Sequence, residues 1–245
     1  MKILLSNDDG FYAEGIQYLE RELEKKHVIY IAAPLENQSA GSSALSVRKK
    51  IYVNEVKKNS YIIDGTPADC VHIALTSLIK EEIDIVISGI NLGANLGDDV
   101  IYSGTVAAAL EGRHLKMSPI AISLVSSKKI NLDRAAAISA KLIDEIINNK
   151  YLAKKTLLNI NIPDTVVKIP KIEYTRLGKR CLPFPAKKLK QKNMYKIGSA
   201  GEPKDKRKGT DFFAISKNKI SISPISYDLT NTEILKKLKN HDYRF

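Results

Sequence analysis

Lys2-Ile3-Leu4-Leu5-Ser6-Asn7-Asp8-Asp9-Gly10 runs from a short apolar stretch directly into a turn cluster. An apolar run of this length, closed by Asn, Asp and Gly, reads as a buried strand that ends at a loop. Outward from it, Glu14–Lys26 places Ile16, Leu19 and Leu23 on one helical face with charges opposite. His27–Ala33 is a second apolar run, closed by Pro34. Thr66 and Pro67 suit the N-cap and first position of a helix that carries Val71, Ala74, Leu75 and Leu78. Asp84–Ser88 reads as a buried strand and Ser103–His114 as a helix. Pro119–Val125 then reads as a strand, Asp133–Asn148 as a helix and Thr156–Ile162 as a strand, with less regular strands expected at Ala44–Val53 and Tyr61–Asp64. Continuous apolar strands alternating with amphipathic helices are what a sheet covered on both faces requires. The expectation is an α/β, Rossmann-like doubly wound, mostly parallel sheet.

After Pro163 the pattern changes. Prolines 163, 170, 183 and 185 punctuate the chain, and residues 179–208 carry eleven basic side chains against Glu202 and Asp205 alone. Short strands are expected at Lys171–Thr175, Phe212–Ile215 and Ile220–Pro224, and a final helix over Asn231–Lys239. With no internal repeat and no evident linker, residues 1–245 read as a single domain. In it, an α/β core (1–163) carries a basic β-rich extension and a C-terminal helix (164–245).

Composition narrows the function. The chain of 245 residues is 44% hydrophobic and 27% charged, which argues for a real core and against disorder. No run approaches the roughly eighteen apolar residues of a membrane span, and the N-terminal apolar run is too short for a signal peptide, so a cytoplasmic protein is expected. Two cysteines, Cys70 and Cys181, have no partner at C-x-x-C spacing, against a disulfide framework or structural zinc site. The four histidines, His27, His72, His114 and His241, lack metal spacing. Charge divides the chain: the first 125 residues hold 12 basic and 16 acidic side chains, the rest 27 and 11. An acidic half suits a cation and a basic half a polyanion or phosphorylated ligand, although solvated lysines alone are the plainer reading.

In open α/β sheets ligands bind beyond the carboxyl ends of the strands, which directs attention to Asn7-Asp8-Asp9-Gly10. A G-x-G-x-x-G turn and a Walker A sequence are both missing, against nicotinamide and P-loop chemistry. Two adjacent carboxylates repel phosphate unless a cation intervenes. The bland alternative is an Asx turn capping the next helix, but that helix is expected to start several residues later. Other oxygen donors cluster at comparable strand ends, namely Asn37, Gln38, Ser39, Ser42 and Ser43, then Asn91, Asn95, Asp98 and Asp99. An all-oxygen set suits Mg²⁺ or Mn²⁺. Ser103-Gly104-Thr105 opens an Ala-rich helix, where free N–H groups favour an anion. Ordinary capping explains that motif if it stands alone, but beside Asp8 and Asp9 it completes a phosphoryl-transfer site.

These residues resemble the SurE survival protein family of metal-dependent 5'/3'-nucleotidases. The resemblance rests on Asn7–Gly10, Asn37-Gln38-Ser39-Ala40, Asp64–Val71, Ser88–Gly93, Tyr102–Ala108 and Gly209-Thr210-Asp211-Phe212, and runs from residue 1 to about Leu229. It implies a SurE-like fold and a phosphomonoesterase that hydrolyses nucleoside monophosphates, often with exopolyphosphatase activity, using one divalent ion (Mg²⁺ or Mn²⁺) per subunit. By the same resemblance Asp8, Asp9, Ser39 and Asn91 are metal ligands, with Asp8 and Asp9 catalytic. Asn95, Ser103, Gly104 and Thr105 fall where the family binds phosphate. A homodimer or homotetramer with an exchanged C-terminal arm is likewise implied. The chain departs from the pattern at Asn231-Thr232, where many members carry alanine-histidine. The expected chemistry is in-line attack by water, with a covalent aspartyl-phosphate as rival; the Asp-x-Asp spacing that favours the rival is missing. The other function class is a basic module that holds RNA or polyphosphate through residues 179–208. Only Phe184 and Tyr195 offer stacking there, and no RNP-type motif occurs, so sequence-specific nucleic-acid binding is not expected.

Overall fold

Ile3 and Leu5 point to one side of their strand and Leu4 to the other, and all three are fully buried. That is the period-two signature of a strand covered on both faces. The computed structural model describes residues 1–39, 41–126, 131–148, 156–165 and 170–240. In it this strand, β1 (Lys2–Ser6), lies inside a nine-stranded sheet. On one side of β1 come β2 (Val28–Pro34), β4 (Ser60–Ile63) and β3 (Val53–Lys57). On the other come β5 (Ile85–Leu92), β6 (Ile120–Val125), β7 (Thr156–Pro163), β11 (Ile220–Ser226) and β8 (Ile172–Tyr174). Neighbours from β4 through to β7 are parallel, while β3 and β11 run antiparallel to β4 and β7. The α/β, mostly parallel architecture expected from the sequence is present.

Helices α1 (Glu14–Leu23) and α4 (Leu132–Asn148) cover the face of Ile3 and Leu5. Helices α2 (Pro67–Ile73) and α3 (Gly104–Glu111) cover the face of Leu4. Helix α1 buries Ile16, Leu19 and Leu23 at helical spacing. Helix α2 starts at a capping box: the Thr66 hydroxyl accepts from the Asp69 N–H, and the Asp69 carboxylate accepts from the Thr66 N–H. The chain leaves β1 toward β2 on one side and later returns to place β5 on the other. The sheet therefore reverses its winding between β1 and β5, and a crevice opens beyond their carboxyl ends.

Two segments differ from the sequence reading. Ala44–Val53 is not a strand; turns and coil lead to β3, which begins only at Val53. Its backbone is tied to the α2 cap instead. Thr66 Oγ1 donates to the Ala44 carbonyl at 2.6 Å, and the Ser46 N–H donates to Asp69 Oδ1 at 2.8 Å. Phe212–Ile215 is helical, within α5 (Asp211–Ser216), because Thr210 caps it by accepting the Phe213 N–H. His241 lies outside the described residues.

Beyond Pro163 the chain does two things. Strands β8 and β11 complete the sheet, whereas residues 179–205 make an excursion ending in a small hairpin, β9 (Lys187–Lys188) and β10 (Tyr195–Lys196), whose side chains are exposed. Helix α6 (Thr232–Lys239) buries none of its residues, and Ile234, Leu235 and Leu238 face solvent. Among the described residues no helix is long and apolar enough to cross a membrane.

Asp211 clasps the start of this excursion to the sheet. Its fully buried carboxylate accepts N–H groups from Gly97 (2.7 Å), Gly178 (2.8 Å) and Phe212 (2.8 Å). An asparagine here turns one acceptor into a donor facing N–H groups. Asp211→Asn is expected to lower unfolding stability in urea by about 2–4 kcal/mol, the cost of buried donors left unmet. Stability within about 0.5 kcal/mol of wild type contradicts the clasp.

Candidate active site

The loop after β1 turns back on itself through Asn7, whose side chain donates to the Gly10 carbonyl (2.8 Å) and accepts its N–H (3.2 Å). Gly10 closes the turn at φ +109°, a value open to glycine and strained for other residues. Asp8 and Asp9 are thereby fixed at the crevice, and Ala13, not either Asp, is the N-cap of α1. The Asx-turn geometry is present at Asn7, leaving both carboxylates for other work.

Asp8 is 4% exposed. Its Oδ1 accepts the Thr105 hydroxyl at 2.6 Å, and its main-chain carbonyl accepts the Gln38 N–H at 2.7 Å. Burial raises the Asp8 carboxyl above its ordinary range, against the opposing pull of Thr105's hydroxyl and N–H. Asp9 is also pushed up, first by burial and then by the negative charge of Asp8, and the Leu92 N–H partly offsets this. Its oxygens receive long hydrogen bonds from the Leu92 N–H (3.3 Å) and from Asn37 Nδ2 (3.4 Å). Among the described residues no Lys, Arg or His forms an ion pair with either acid. Two partly desolvated carboxylates adjacent in the chain, with no cationic partner among the described residues, could be offset by an external cation.

The other candidate ligands lie around this pair. Asn37 links Asp9 to Ser39, for its Oδ1 accepts the Ser39 N–H at 2.9 Å. Asn91 donates its amide to the Gly93 carbonyl at 3.0 Å, and among the described residues its Oδ1 accepts no hydrogen bond; the next residue, Leu92, donates its N–H to Asp9. Groups of three or more His, Cys, Asp or Glu side chains able to hold a metal do not occur among the described residues. Two carboxylates with neutral hydroxyl and amide oxygens nearby could hold only a hard cation that retains several waters.

Helix α3 abuts Asp8 end-on. A Cβ on Gly104 would lie 2.7 Å from Asp8 Cβ and 2.8 Å from Oδ2, so only glycine lets the helix start so close to the carboxylate. Ser103 caps the helix by accepting the Val106 N–H at 3.1 Å, while Thr105 is fully buried. Asn95 reaches Thr105 Oγ1 (3.4 Å) and Ser123 Oγ (2.8 Å) through Nδ2. Of the residues singled out from sequence, Asp8, Asn95, Gly104 and Thr105 are linked directly. Asp9 is linked to the Asn91–Leu92 segment and through Asn37 to Ser39, and Ser103 caps α3 beside them. Asp98 and Asp99 turn instead to Arg180, whose N–H donates to Asp98 Oδ1 at 2.9 Å and whose guanidinium pairs with Asp99 at 2.6 Å. Sequence reasoning passed over Asn159, Asn161 and Ser123, all fully buried, which hold Asn95 from β6 and β7. Their signal was legible: Leu158-Asn159-Ile160-Asn161-Ile162 puts polar amides at alternate positions of a core strand.

Known proteins resemble the chain along nearly its whole length. A family model described as survival protein SurE matches residues 3–183. A Vesicomyosocius okutanii protein named 5'-nucleotidase SurE is 46% identical over 234 residues, covering 94% of this chain and 93% of its own. A Legionella pneumophila (strain Lens) protein of the same name is 43% identical over 244 residues, covering 98% and 96%. Among solved structures, the SurE protein from Aquifex aeolicus matches with a TM-score of 0.86 at 33% identity, over 98% of both chains.

Proposed function

The chain belongs to the survival protein SurE family, and we propose that it is a 5'-nucleotidase whose reaction takes place at Asp8 and Asp9. The substrates are nucleoside monophosphates, hydrolysed to nucleoside and phosphate, and the setting is the cytoplasm. The observation that carries the reading is the pair of partly desolvated carboxylates, without a protein counter-charge among the described residues, of which Asp8 abuts the N-terminus of α3.

Asp8, Asp9, Ser39 and Asn91 are the residues that would hold one divalent cation, Mg²⁺ or Mn²⁺. When bound, such an ion neutralises phosphate charge and acidifies a water it holds. The phosphate is received by Asn95, Ser103 and Gly104 at the first turn of α3, whose orientation favours an anion. Thr105 supports that turn, with its hydroxyl and N–H directed to Asp8. Thr105 fixes one oxygen of Asp8, and the other lies against Gly104 at the start of α3. Asp9, the more accessible acid, would orient the attacking water. Attack by an Asp carboxylate is the rival; transient phosphate covalently held by the protein distinguishes it.

The oligomer is assigned to the C-terminal arm, with dimer or tetramer contacts made by the exposed apolar side chains of 182–197 and α6. Exposed Lys187, Lys188 and Lys190 suit polyphosphate as a further substrate.

The test is phosphate release across mononucleotides and polyphosphate with added Mg²⁺, Mn²⁺ or excess EDTA. Release from mononucleotides is expected to fall by at least about 100-fold in chelator, since cation chemistry contributes several kcal/mol. Full turnover in chelator contradicts the proposed donor set.

A further inference from the structure

Strand β7 alternates strictly. Leu158, Ile160 and Ile162 enter the core beneath α1 and α4, while Asn159 and Asn161 point to the opposite face, where α3 lies. Both asparagines are fully buried. Apolar residues there would pack without desolvating two amides, so the amides persist only where other groups compensate them.

Those groups belong to Asn95. Asn161 Oδ1 accepts the Asn95 N–H at 2.9 Å, and Asn161 Nδ2 donates to the Asn95 carbonyl at 2.9 Å. One side chain thus holds both polar groups of one residue's backbone, as a neighbouring strand would. Asn159 Nδ2 donates to the same carbonyl at 2.8 Å, and its own Oδ1 is buried without a partner. A carbonyl gripped by two donors cannot rotate without losing both. With its backbone held, Asn95 turns Nδ2 to Ser123 Oγ and Thr105 Oγ1, and Thr105 donates to Asp8. Ser123 pairs with Asn161 across β6 and β7, so both ends of the grip share one rigid platform.

We propose that Asn161 and Asn159 are positioning residues: they clamp the Asn95 backbone and so aim its amide at Thr105, the residue that holds Asp8. Sequence context gives Asn95 no such fixity. It sits between Gly93 and Gly97, both at positive φ, in a loop that is otherwise free to adopt many conformations. The clamp converts that loop into part of the sheet. It rests on the reading of this crevice as a phosphomonoester site.

A double-mutant cycle with hydrogen exchange tests the clamp. Asn161→Ala is expected to lower kcat/KM for a nucleoside monophosphate about 10- to 100-fold, the range found when an orienting partner is lost. In an Asn95→Ala background the same substitution is expected to change kcat/KM by less than about 3-fold, because the group it aims is gone. Amide exchange at Asn95 is expected to accelerate at least about 10-fold in Asn161→Ala, with exchange in β1 and β5 unchanged. Asn159→Ala, which leaves the two-point grip in place, is expected to give smaller changes in the same direction. It carries the same cycle if Asn161→Ala does not fold. A full-sized loss that persists without the Asn95 side chain, or unchanged exchange at Asn95, overturns the proposal. A wild-type protein inactive on every phosphomonoester overturns the functional reading instead, and the exchange result then still decides the clamp.

Discussion

Asp8→Asn is expected to lower kcat/KM for nucleoside monophosphates by about 10³-fold or more while the protein remains folded. The substitution keeps the shape and an oxygen for the Thr105 hydroxyl, and removes one of two negative charges from the proposed cation site. Losing several kcal/mol of charge stabilisation corresponds to about three decades in rate. Stability is expected to move the other way. Burial raises the Asp8 carboxyl, and Asp9 is raised by burial and by Asp8's charge. A carboxyl whose folded pKa lies above its unfolded value binds its proton more tightly in the fold. The fold is then penalised as pH rises past the unfolded value, and the penalty is complete once pH exceeds the folded one. Neutralising Asp8 removes that penalty, so the metal-free variant is expected to melt at or above the wild-type temperature at pH 7. It should also show a smaller stabilisation on adding Mn²⁺. Lost activity with a lowered melting temperature and an unchanged Mn²⁺ response contradicts the assignment.

Gly104→Ala is expected to cost about 100-fold in kcat/KM, although the change adds only one methyl group. The new Cβ would meet Asp8 Cβ at 2.7 Å and Oδ2 at 2.8 Å. Asp8 cannot yield easily, for Thr105 holds its carboxylate and the Gln38 N–H holds its backbone. Either α3 backs away or the carboxylate swings, and a misplacement on the order of 1 Å costs about 100-fold at a reacting centre. In open space Gly→Ala in a helix stabilises by about 0.5–1 kcal/mol. The sign of the stability change is therefore informative: a loss is expected here. Wild-type turnover together with raised stability contradicts the end-on contact between α3 and Asp8.

Much of this architecture was legible because its signals are local. The apolar run of β1 ending in Asn-Asp-Asp-Gly and the Thr66-Pro67 start of α2 depend on near neighbours and formed as read, whereas the Ser103 hydroxyl makes the ordinary cap of α3 that the sequence reading sets second. Residues 44–52 misled because their backbone partners, Thr66 and Asp69, belong to a later helix cap. Phe212 and Ile215 fit a strand by composition, yet three-residue spacing and the Thr210 cap make them one helical face. The site was legible in its acids and glycines, whose chemistry is unusual wherever it occurs. Its support was not. Asn159 and Asn161 interact with a loop more than sixty positions earlier, and Asp211 with Gly97. Only the folded sheet brings those partners together.

Anomalous scattering from crystals of the protein soaked in Mn²⁺ tests the central claim most directly. A single strong manganese peak is expected within about 2.5 Å of carboxylate oxygens from both Asp8 and Asp9, with Asn91 and Ser39 oxygens or water completing the shell. A fully occupied peak elsewhere, with both acids turned away from any ion, contradicts it.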